Sequence, residues 1–162
     1  MTTAADLVGD EDDFLPLAVD EVVLAAPVEV VWAAVEGDAQ ERFLRTLSKR
    51  FVARDVLEEL PDGYRCRTTS KVRLGSRRSF DSVVLLDEPH RSVEVQRGQR
   101  THLRYTTWYE PVDGDTLVRC EQSYRALRAS LESTAAVGAL HQRAVSVLAE
   151  RLAAMRRVIE AG

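Results

Sequence analysis

The spacing of apolar positions changes twice along the chain. Apolar residues recur every three or four positions over residues 28–47, alternate with polar residues in runs between 50 and 126, and return to the first spacing over 131–159. The first spacing is typical of an amphipathic helix, whereas alternation is typical of a strand with one wet face. The pattern therefore predicts a short helical region, a set of strands and a long C-terminal helix.

Seven runs have the length and alternation of strands, and turn residues separate most of them. Pro61, Asp62 and Gly63 form the strongest turn signal, between the second and third runs. No helical pattern lies between the last six runs, so the strands are expected to form an antiparallel meander without crossover helices. The predicted strands are 17–26, 50–60, 64–74, 79–86, 92–96, 101–110 and 116–126.

Three segments carry the apolar stripe of a helix. The stripes consist of Val28, Val31, Trp32 and Val35 in the first, Phe43, Leu44 and Leu47 in the second, and Val137, His141, Ala144, Leu148, Leu152, Met155 and Ile159 in the third. At about 1.5 Å per residue, some 30 residues reach about 45 Å, which is long enough to cross a whole sheet. We predict an α+β fold with a seven-stranded antiparallel sheet wrapped around the long C-terminal helix and two short helices after the first strand.

Alternation also predicts which side chains face the interior. Charged residues at 65, 67, 71 and 73 face water, which turns the even positions of the run inward. The arginines at 65, 67, 73, 104 and 119 are all expected to point outward. The predicted inward residues are Tyr64, Cys66, Thr68, Ser70, Val72, Leu74, Leu103, Tyr105, Thr107, Tyr109, Val118, Cys120, Gln122 and Tyr124.

Length and charge set the limits of the domain. The 162 residues suffice for one domain that buries roughly 70% of its unfolded surface. Residues 1–60 carry 14 acidic and 5 basic side chains, although the net charge of the chain is only −4. The acidic run from Asp10 to Asp13 predicts a flexible tail over residues 1–14. Residues 15–162 are expected to form the single folded domain.

The expected location is cytoplasmic, because the start of the chain is acidic rather than basic and apolar and no apolar run could span a bilayer. Cys66 and Cys120 lack the spacing of a metal site and are expected to be reduced thiols. No metal and no cofactor is predicted from these residues.

The predicted interior holds an unusual number of hydroxyl and amide groups for a simple core. Buried polar groups need partners, and water or a polar-edged ligand in a cavity would supply them. The alternative is that the tyrosine hydroxyls reach solvent at the rim and the threonines only suit strands. The candidate ligand-binding residues are Tyr64, Cys66, Thr68, Ser70, Tyr105, Thr107, Tyr109, Gln122, Tyr124 and His141.

No residue pattern identifies a catalytic group. His141 and Tyr105 are the candidates, since a histidine on the stripe of the last helix could act as an acid or base near neutral pH. A histidine in that position also fits a satisfied core or rim residue. The clearly alternating strands place no Asp or Glu inward, so a pair of catalytic carboxylates has no support.

The order of elements and two segments resemble a known family. The segments VVLAAPVEVVWAAV and TWYEPVDGDTLVRC, within a resemblance that covers roughly residues 17–160, are similar to the START-related helix-grip superfamily (SRPBCC), in its bacterial polyketide cyclase/dehydrase-like branch. The resemblance implies a START/Bet v 1-like helix-grip fold with a cavity between the sheet and the long helix. Members bind lipids, hormones or aromatic molecules there, and some cyclise or dehydrate them.

Three functions follow as hypotheses. The first is binding of a small hydrophobic, aromatic or lipid-like molecule in the cavity. The second is polyketide aromatase/cyclase or dehydratase activity on a bound poly-β-keto intermediate, which the outward arginines argue against, because the family's cyclases are thought to use cavity arginines. The third is a protein-interaction domain that uses the basic face formed by Arg65, Arg67, Lys71, Arg73, Arg77 and Arg78. The expected partners are a small hydrophobic ligand and a second copy in a homodimer, without nucleic acid or membrane insertion.

Overall fold

A single seven-stranded antiparallel sheet forms the centre of the computed structural model, which describes residues 1–127 and 134–162. The strands follow in the order β1-β7-β6-β5-β4-β3-β2, so a meander is completed by the return of the last strand beside the first. The predicted fold class is confirmed. The strands are β1 (Leu15–Leu24), β2 (Phe51–Leu60), β3 (Gly63–Lys71), β4 (Arg77–Asp87), β5 (Arg91–Arg97), β6 (Thr101–Val112) and β7 (Asp115–Ala126).

Four helices pack around the sheet in the part of the chain that the structure describes. They are α1 (Ala4–Val8), α2 (Val28–Val35), α3 (Gln40–Leu47) and α4 (Thr134–Ala161), and short 3-10 turns occupy Glu11–Asp13 and Arg73–Gly75. The predicted stripe of α2 is fully buried, as are Phe43 and Leu44 of α3. None of the helices among the described residues is long and apolar enough to cross a membrane.

The main core lies between the inner face of the sheet and α2, α3 and α4. Helix α4 packs against β1 and β7 on the sheet and against α2 and α3. The largest fully buried side chains of this core are Phe43, Leu24, Leu148 and Met155. The apolar stripe of the long helix therefore stabilises one side of the sheet, as its spacing predicted.

One helix cannot cover the whole inner face. Six spacings of about 4.8 Å make the sheet about 29 Å wide, whereas a helix with its side chains is about 10–12 Å across. Since α4 lies over β1 and β7, the inner faces of β2 to β4 need another cover. Helices α2 and α3 supply part of it, and the remaining space forms a cleft.

The N-terminal segment packs on the outer face of the sheet, and the flexibility expected over residues 1–14 stays a prediction. Ala4, Val8 and Phe14 form a second apolar cluster with three valines of β4 and β5, Val83, Val93 and Val95. The carboxylate of Asp62 accepts hydrogen bonds from the backbone N–H groups of Ala4 and Ala5, at 2.5 and 3.0 Å. A carboxylate at the positive end of a helix dipole stabilises this attachment.

The same segment changes the surroundings of Arg104. The guanidinium points to the outer face as predicted, but it is buried, because its carbon Cζ lies 5.5 Å from the centre of the Phe14 ring. Its Nη1 donates a hydrogen bond of 3.5 Å to the carbonyl oxygen of Gly9. Burial is the main cause that lowers the pKa of Arg104 from its ordinary value.

The inward orientation predicted for Leu74 is wrong. Strand β3 ends at Lys71, and Leu74 lies in the 3-10 turn that follows, fully exposed and with a φ of 64°. The alternation of polar and apolar residues continues past the strand by coincidence. A turn therefore replaces the last three residues of the predicted run.

We expect Phe14→Ala to lower the free energy of unfolding by about 3 kcal/mol, because it removes a buried ring from the outer cluster. The neighbouring Leu15→Ala is the control, since Leu15 is 59% exposed and its truncation should cost much less. Urea denaturation of both variants measures the difference. Equal and small effects would show that the N-terminal segment does not stabilise the sheet.

Candidate functional site

A cleft of about 840 Å³ opens between α2 and α3 on one side and β2, β3 and the turn between β4 and β5 on the other. It occupies the part of the inner sheet face that α4 leaves uncovered. Large apolar side chains form much of its wall. These are Trp32, Leu44, Phe51, Val56 and Leu86.

Aromatic contacts hold this wall in place. Trp32 lies on the buried stripe of α2, and its ring meets that of Tyr109 edge to face, with ring centroids 5.2 Å apart. Phe51 begins β2 and carries the guanidinium of Arg45 over its ring at 5.4 Å. Such contacts fix large, flat surfaces that an apolar ligand can contact.

A buried carboxylate, Glu36, lies at the base of the cleft. Glu36 is the C-cap residue of α2 and is 8% exposed. Its Oε1 accepts two hydrogen bonds of 2.7 Å, one from the hydroxyl of Tyr109 and one from the hydroxyl of Ser92. Two strands and one helix therefore converge on a single carboxylate oxygen.

A second buried carboxylate pairs with an arginine that lines the cleft. Arg54 of β2 donates from Nη1 to Oε1 of Glu94 at 2.9 Å and from Nη2 to Oε2 at 3.4 Å. Its Nε donates to the hydroxyl of Thr68 at 2.9 Å. Gln96 donates from Nε2 to Oε2 of Glu94 at 2.9 Å. The pair thus joins β2, β3 and β5 below the cleft.

Opposing effects act on the pKa of Glu94. Burial favours the protonated form, but the positive charges of Arg54 and Arg151 and the hydrogen bonds from Gln96 and Arg54 outweigh it. The pKa of Glu94 is therefore lowered from its ordinary value. The carboxylate stays ionised at neutral pH and keeps its pairing with Arg54.

The tyrosines of the interior are neutral hydrogen-bond donors. Burial raises the pKa of Tyr64, which lines the cleft, to about 12, and it raises the pKa of Tyr105 to the same value. Burial and the charge of Glu36 raise the pKa of Tyr109 well above its ordinary value. Burial also raises the pKa of Cys66 to about 11, so its thiol is not a nucleophile at neutral pH.

The candidate ligand-binding residues do not come together in one site. Tyr64 lines the cleft, and Tyr109 and Thr68 lie one layer below it, bonded to Glu36 and Arg54. Cys66 is fully buried and Ser70 is half-buried on the same strand. The ligand-binding role predicted for all of these residues stays a prediction.

Five of the candidates lie nearer α4, outside the cleft. Tyr105 accepts a 2.9 Å hydrogen bond from Gln122, and Thr107 lies 3.6 Å from the sulfur of Cys120. Tyr124 packs with Leu17 and Ala144 in a third apolar cluster, and His141 is exposed and contacts the carbonyl oxygen of Leu17 through Nδ1. Tyr105 and His141, the candidates for catalysis, are therefore bonded to different parts of the sheet.

Alternation missed Glu94 because the valines beside it gave the opposite signal. Val93 and Val95 alternate with Glu94, and such a pattern suggests that the valines face the interior while Glu94 faces water. In the structure the valines pack under the N-terminal segment, and Glu94 points to the interior. Arg54 was missed because β-bulges shift the register of β2 at two places. The interior therefore holds an arginine and a carboxylate that the sequence analysis did not identify.

The outward basic face carries ion pairs. Arg67 pairs with Asp81 at 2.8 Å and Arg65 with Glu58 at 3.2 Å, and all four side chains are about half-exposed to solvent. Among residues 1–127 and 134–162, no group of three acidic, histidine or cysteine side chains is placed to hold a metal ion.

We expect Arg54→Met to lower the free energy of unfolding at pH 7 by about 3–5 kcal/mol, because it leaves the buried carboxylate of Glu94 without its partner. Arg65→Met is the matched control, since its exposed pair should contribute less than about 1 kcal/mol. Chemical denaturation measures both. Similar losses in the two variants would contradict the importance of burial.

The stabilisation due to the lowered pKa of Glu94 should also depend on pH. A lowered folded-state pKa stabilises the fold above the unfolded-state pKa, and this contribution disappears as the pH falls through the folded-state value. Glu94→Gln should therefore destabilise the protein at pH 7 and progressively less below about pH 4.5. A constant difference from pH 7 to pH 3 would rule out this linkage.

Comparisons with known proteins show a likeness in structure without a close likeness in sequence. No protein-family model matches the chain, and no curated protein matches it. Among solved structures, the di-domain ARO/CYC BexL from the BE-7585A biosynthetic pathway aligns with 97% of this chain at 19% identity and a TM-score of 0.69. The chain spans 53% of the length of that protein.

Two further solved structures align with this chain over nearly their whole length. A START superfamily protein from Mycobacterium smegmatis aligns with 91% of this chain and 99% of its own at 12% identity and a TM-score of 0.68. Ara h 8.0201 aligns with 90% of this chain and 97% of its own at 13% identity and a TM-score of 0.68. The resemblance found in the sequence is thus confirmed at the level of the fold. The chain has the START/Bet v 1-like helix-grip fold.

Proposed function

We propose that the protein binds a small, largely apolar molecule in the cleft between α2, α3 and the sheet. The observation that carries the proposal is the cleft itself, whose volume of about 840 Å³ lies within the range of about 300–1,000 Å³ typical of small-molecule sites. Its wall combines large apolar surfaces with a few fixed polar groups. That combination supports binding of a molecule with an apolar body and a polar edge.

The polar groups that line the cleft support specific recognition of a ligand's polar edge, beyond apolar contact with the wall. Tyr64 presents a neutral hydroxyl, Arg54 a cation and Glu36 an anion, each along the same cleft. Buried neighbours restrain Arg54 and Glu36 in one orientation. Preorganised polar groups of this kind orient a ligand without a large loss of side-chain entropy.

A second candidate function is aromatase/cyclase chemistry on a bound polyketide-like molecule. The observation that favours it is Arg54, since a cavity arginine can stabilise the negative charge that develops on a carbonyl oxygen during enolisation. The structural similarity to the ARO/CYC BexL is consistent with it, although the chain spans about half of that protein. In this hypothesis Tyr64 donates a hydrogen bond to a second carbonyl oxygen.

We favour the cleft over the basic outer face as the functional site. Arg65 and Arg67 of that face are already paired with Glu58 and Asp81. A protein-interaction role would require those pairs to be exchanged for pairs with a partner, which yields little net free energy at exposed positions. The protein-interaction hypothesis therefore has less physical support.

The neutral fluorescent probe N-phenyl-1-naphthylamine tests the binding proposal. We expect the probe to bind wild-type protein with enhanced, saturable emission, and Ala33→Trp to weaken binding at least 10-fold, because the indole fills the cleft from an exposed position on α2. Ala149→Trp, at an exposed position on α4 outside the cleft wall, is the control. Absence of saturable binding, or equal binding by both variants, would overturn the proposal.

Turnover separates the cyclase candidate from simple binding. A poly-β-keto mimic should be cyclised faster than in buffer by wild-type protein, and Arg54→Gln should remove most of that acceleration. If the neutral probe binds but cyclisation of the mimic is not accelerated, the binding function stands and cyclase activity on that mimic is excluded.

A further inference from the structure

We propose that the ligand carries a positively charged amine, which docks on the carboxylate of Glu36 at the base of the cleft. This inference rests on the proposed binding function and specifies its ligand class. An amine-bearing molecule with an apolar or aromatic body would place its ring against the cleft wall and its nitrogen against Glu36.

The cleft is strongly acidic. Arg54 is the one basic residue in its lining among the described part of the chain, and its charge is already balanced by Glu94. The acidic side chains that line the cleft number seven, and they are Glu29, Glu36, Asp38, Glu41, Asp55, Glu59 and Glu88. Such a mouth attracts cations and repels anions, because a cleft of one sign concentrates the field inside it.

A carboxylate at position 36 is unfavourable for the stability of the fold. It is buried, and it caps the C-terminal end of α2, where the helix dipole is negative and a second negative charge is destabilising. No basic side chain of the described residues forms an ion pair with it within 4.0 Å. Two neutral hydroxyls stabilise its Oε1, and the positive charge of Arg151 on α4 acts on it only from beyond that distance and is shared with Glu94.

The second oxygen of Glu36 is available to a ligand. Within residues 1–127 and 134–162, every hydrogen bond to this carboxylate reaches Oε1, and Glu36 itself lines the cleft. Oε2 accepts no hydrogen bond from the described residues, and a protonated amine has N–H groups that can donate to it. An ammonium group placed there would form a charge-assisted hydrogen bond and neutralise the buried charge in one contact.

The aromatic wall suits a cation as well. Trp32 and Tyr64 line the same cleft as Glu36, whereas the ring of Phe51 already carries the guanidinium of Arg45. The faces of aromatic rings attract organic cations, and the attraction increases where water is excluded. Aromatic rings beside carboxylates therefore favour an amine over a neutral alcohol or a carboxylic acid of the same shape.

A matched series of ligands tests the inference. The series is 2-(2-naphthyl)ethylamine, 2-(2-naphthyl)ethanol and 2-naphthylacetic acid, measured at pH 7 by isothermal titration calorimetry and by displacement of N-phenyl-1-naphthylamine. We expect the amine to bind at least 10-fold tighter than the alcohol, because a hydrogen bond between charged groups is the stronger one. The acid should bind most weakly.

The variant Glu36→Gln isolates the charge. Its amide oxygen can still accept from Tyr109 and Ser92, so the ratio of amine to alcohol affinity should fall to about 1 whatever the absolute affinities are. Glu150→Gln, at an exposed position on α4 outside the cleft wall, should keep the full preference. Thermal melting of both variants identifies any loss of folding, and the ranking on wild-type protein remains decisive if Glu36→Gln unfolds.

The outcomes separate this inference from the proposed function. Equal binding of the amine and the alcohol, or tighter binding of the acid, would overturn the inference while the binding function stands. If folded Glu36→Gln still preferred the amine, the inference would also be overturned, since the other acidic side chains of the cleft would then account for the preference. Failure of the neutral probe and of all three ligands to bind would contradict the proposed function itself.

Discussion

The fold depends on covering both faces of one wide sheet with few helices. A sheet of seven strands is about 29 Å wide, and α4 covers the strands at one edge, β1 and β7. Helices α2 and α3 cover part of the rest, and the N-terminal segment covers the valines on the opposite face. The cleft is the part of the inner face that this arrangement leaves open, so its position follows from the width of the sheet.

Polar side chains stabilise the region below that opening. Where α2 and α3 leave the inner face open, the pair of Arg54 and Glu94 and the hydroxyls around Glu36 connect the strands. Removal of one member leaves a buried charge, which costs more than the pair contributes in net stability. The same restraint that keeps these groups in place also presents them to the cleft in a fixed geometry.

The sequence predicts elements well and surroundings poorly. Stripes of three-to-four spacing identified α2, α3 and α4, and alternation identified seven strands, because these periods follow from local backbone geometry. Alternation cannot say which face another segment will cover. Docking of Val8 and Phe14 made the valine face of β5 apolar on the outside, so alternation could not show that Glu94 faces the interior. That information lies in contacts between residues far apart in sequence.

The candidate hydroxyl groups illustrate the same limit from the other side. Their number suggested a polar cavity, yet Tyr105 is bonded to Gln122 and Tyr109 to Glu36. Partners of this kind satisfy a buried hydroxyl without any ligand, so the number of inward hydroxyls does not measure the size of a site. A buried charge without a direct ion pair is the more informative signal. Glu36 meets that criterion among the described residues, because neutral hydroxyls donate to its carboxylate and no basic side chain lies within 4.0 Å of it.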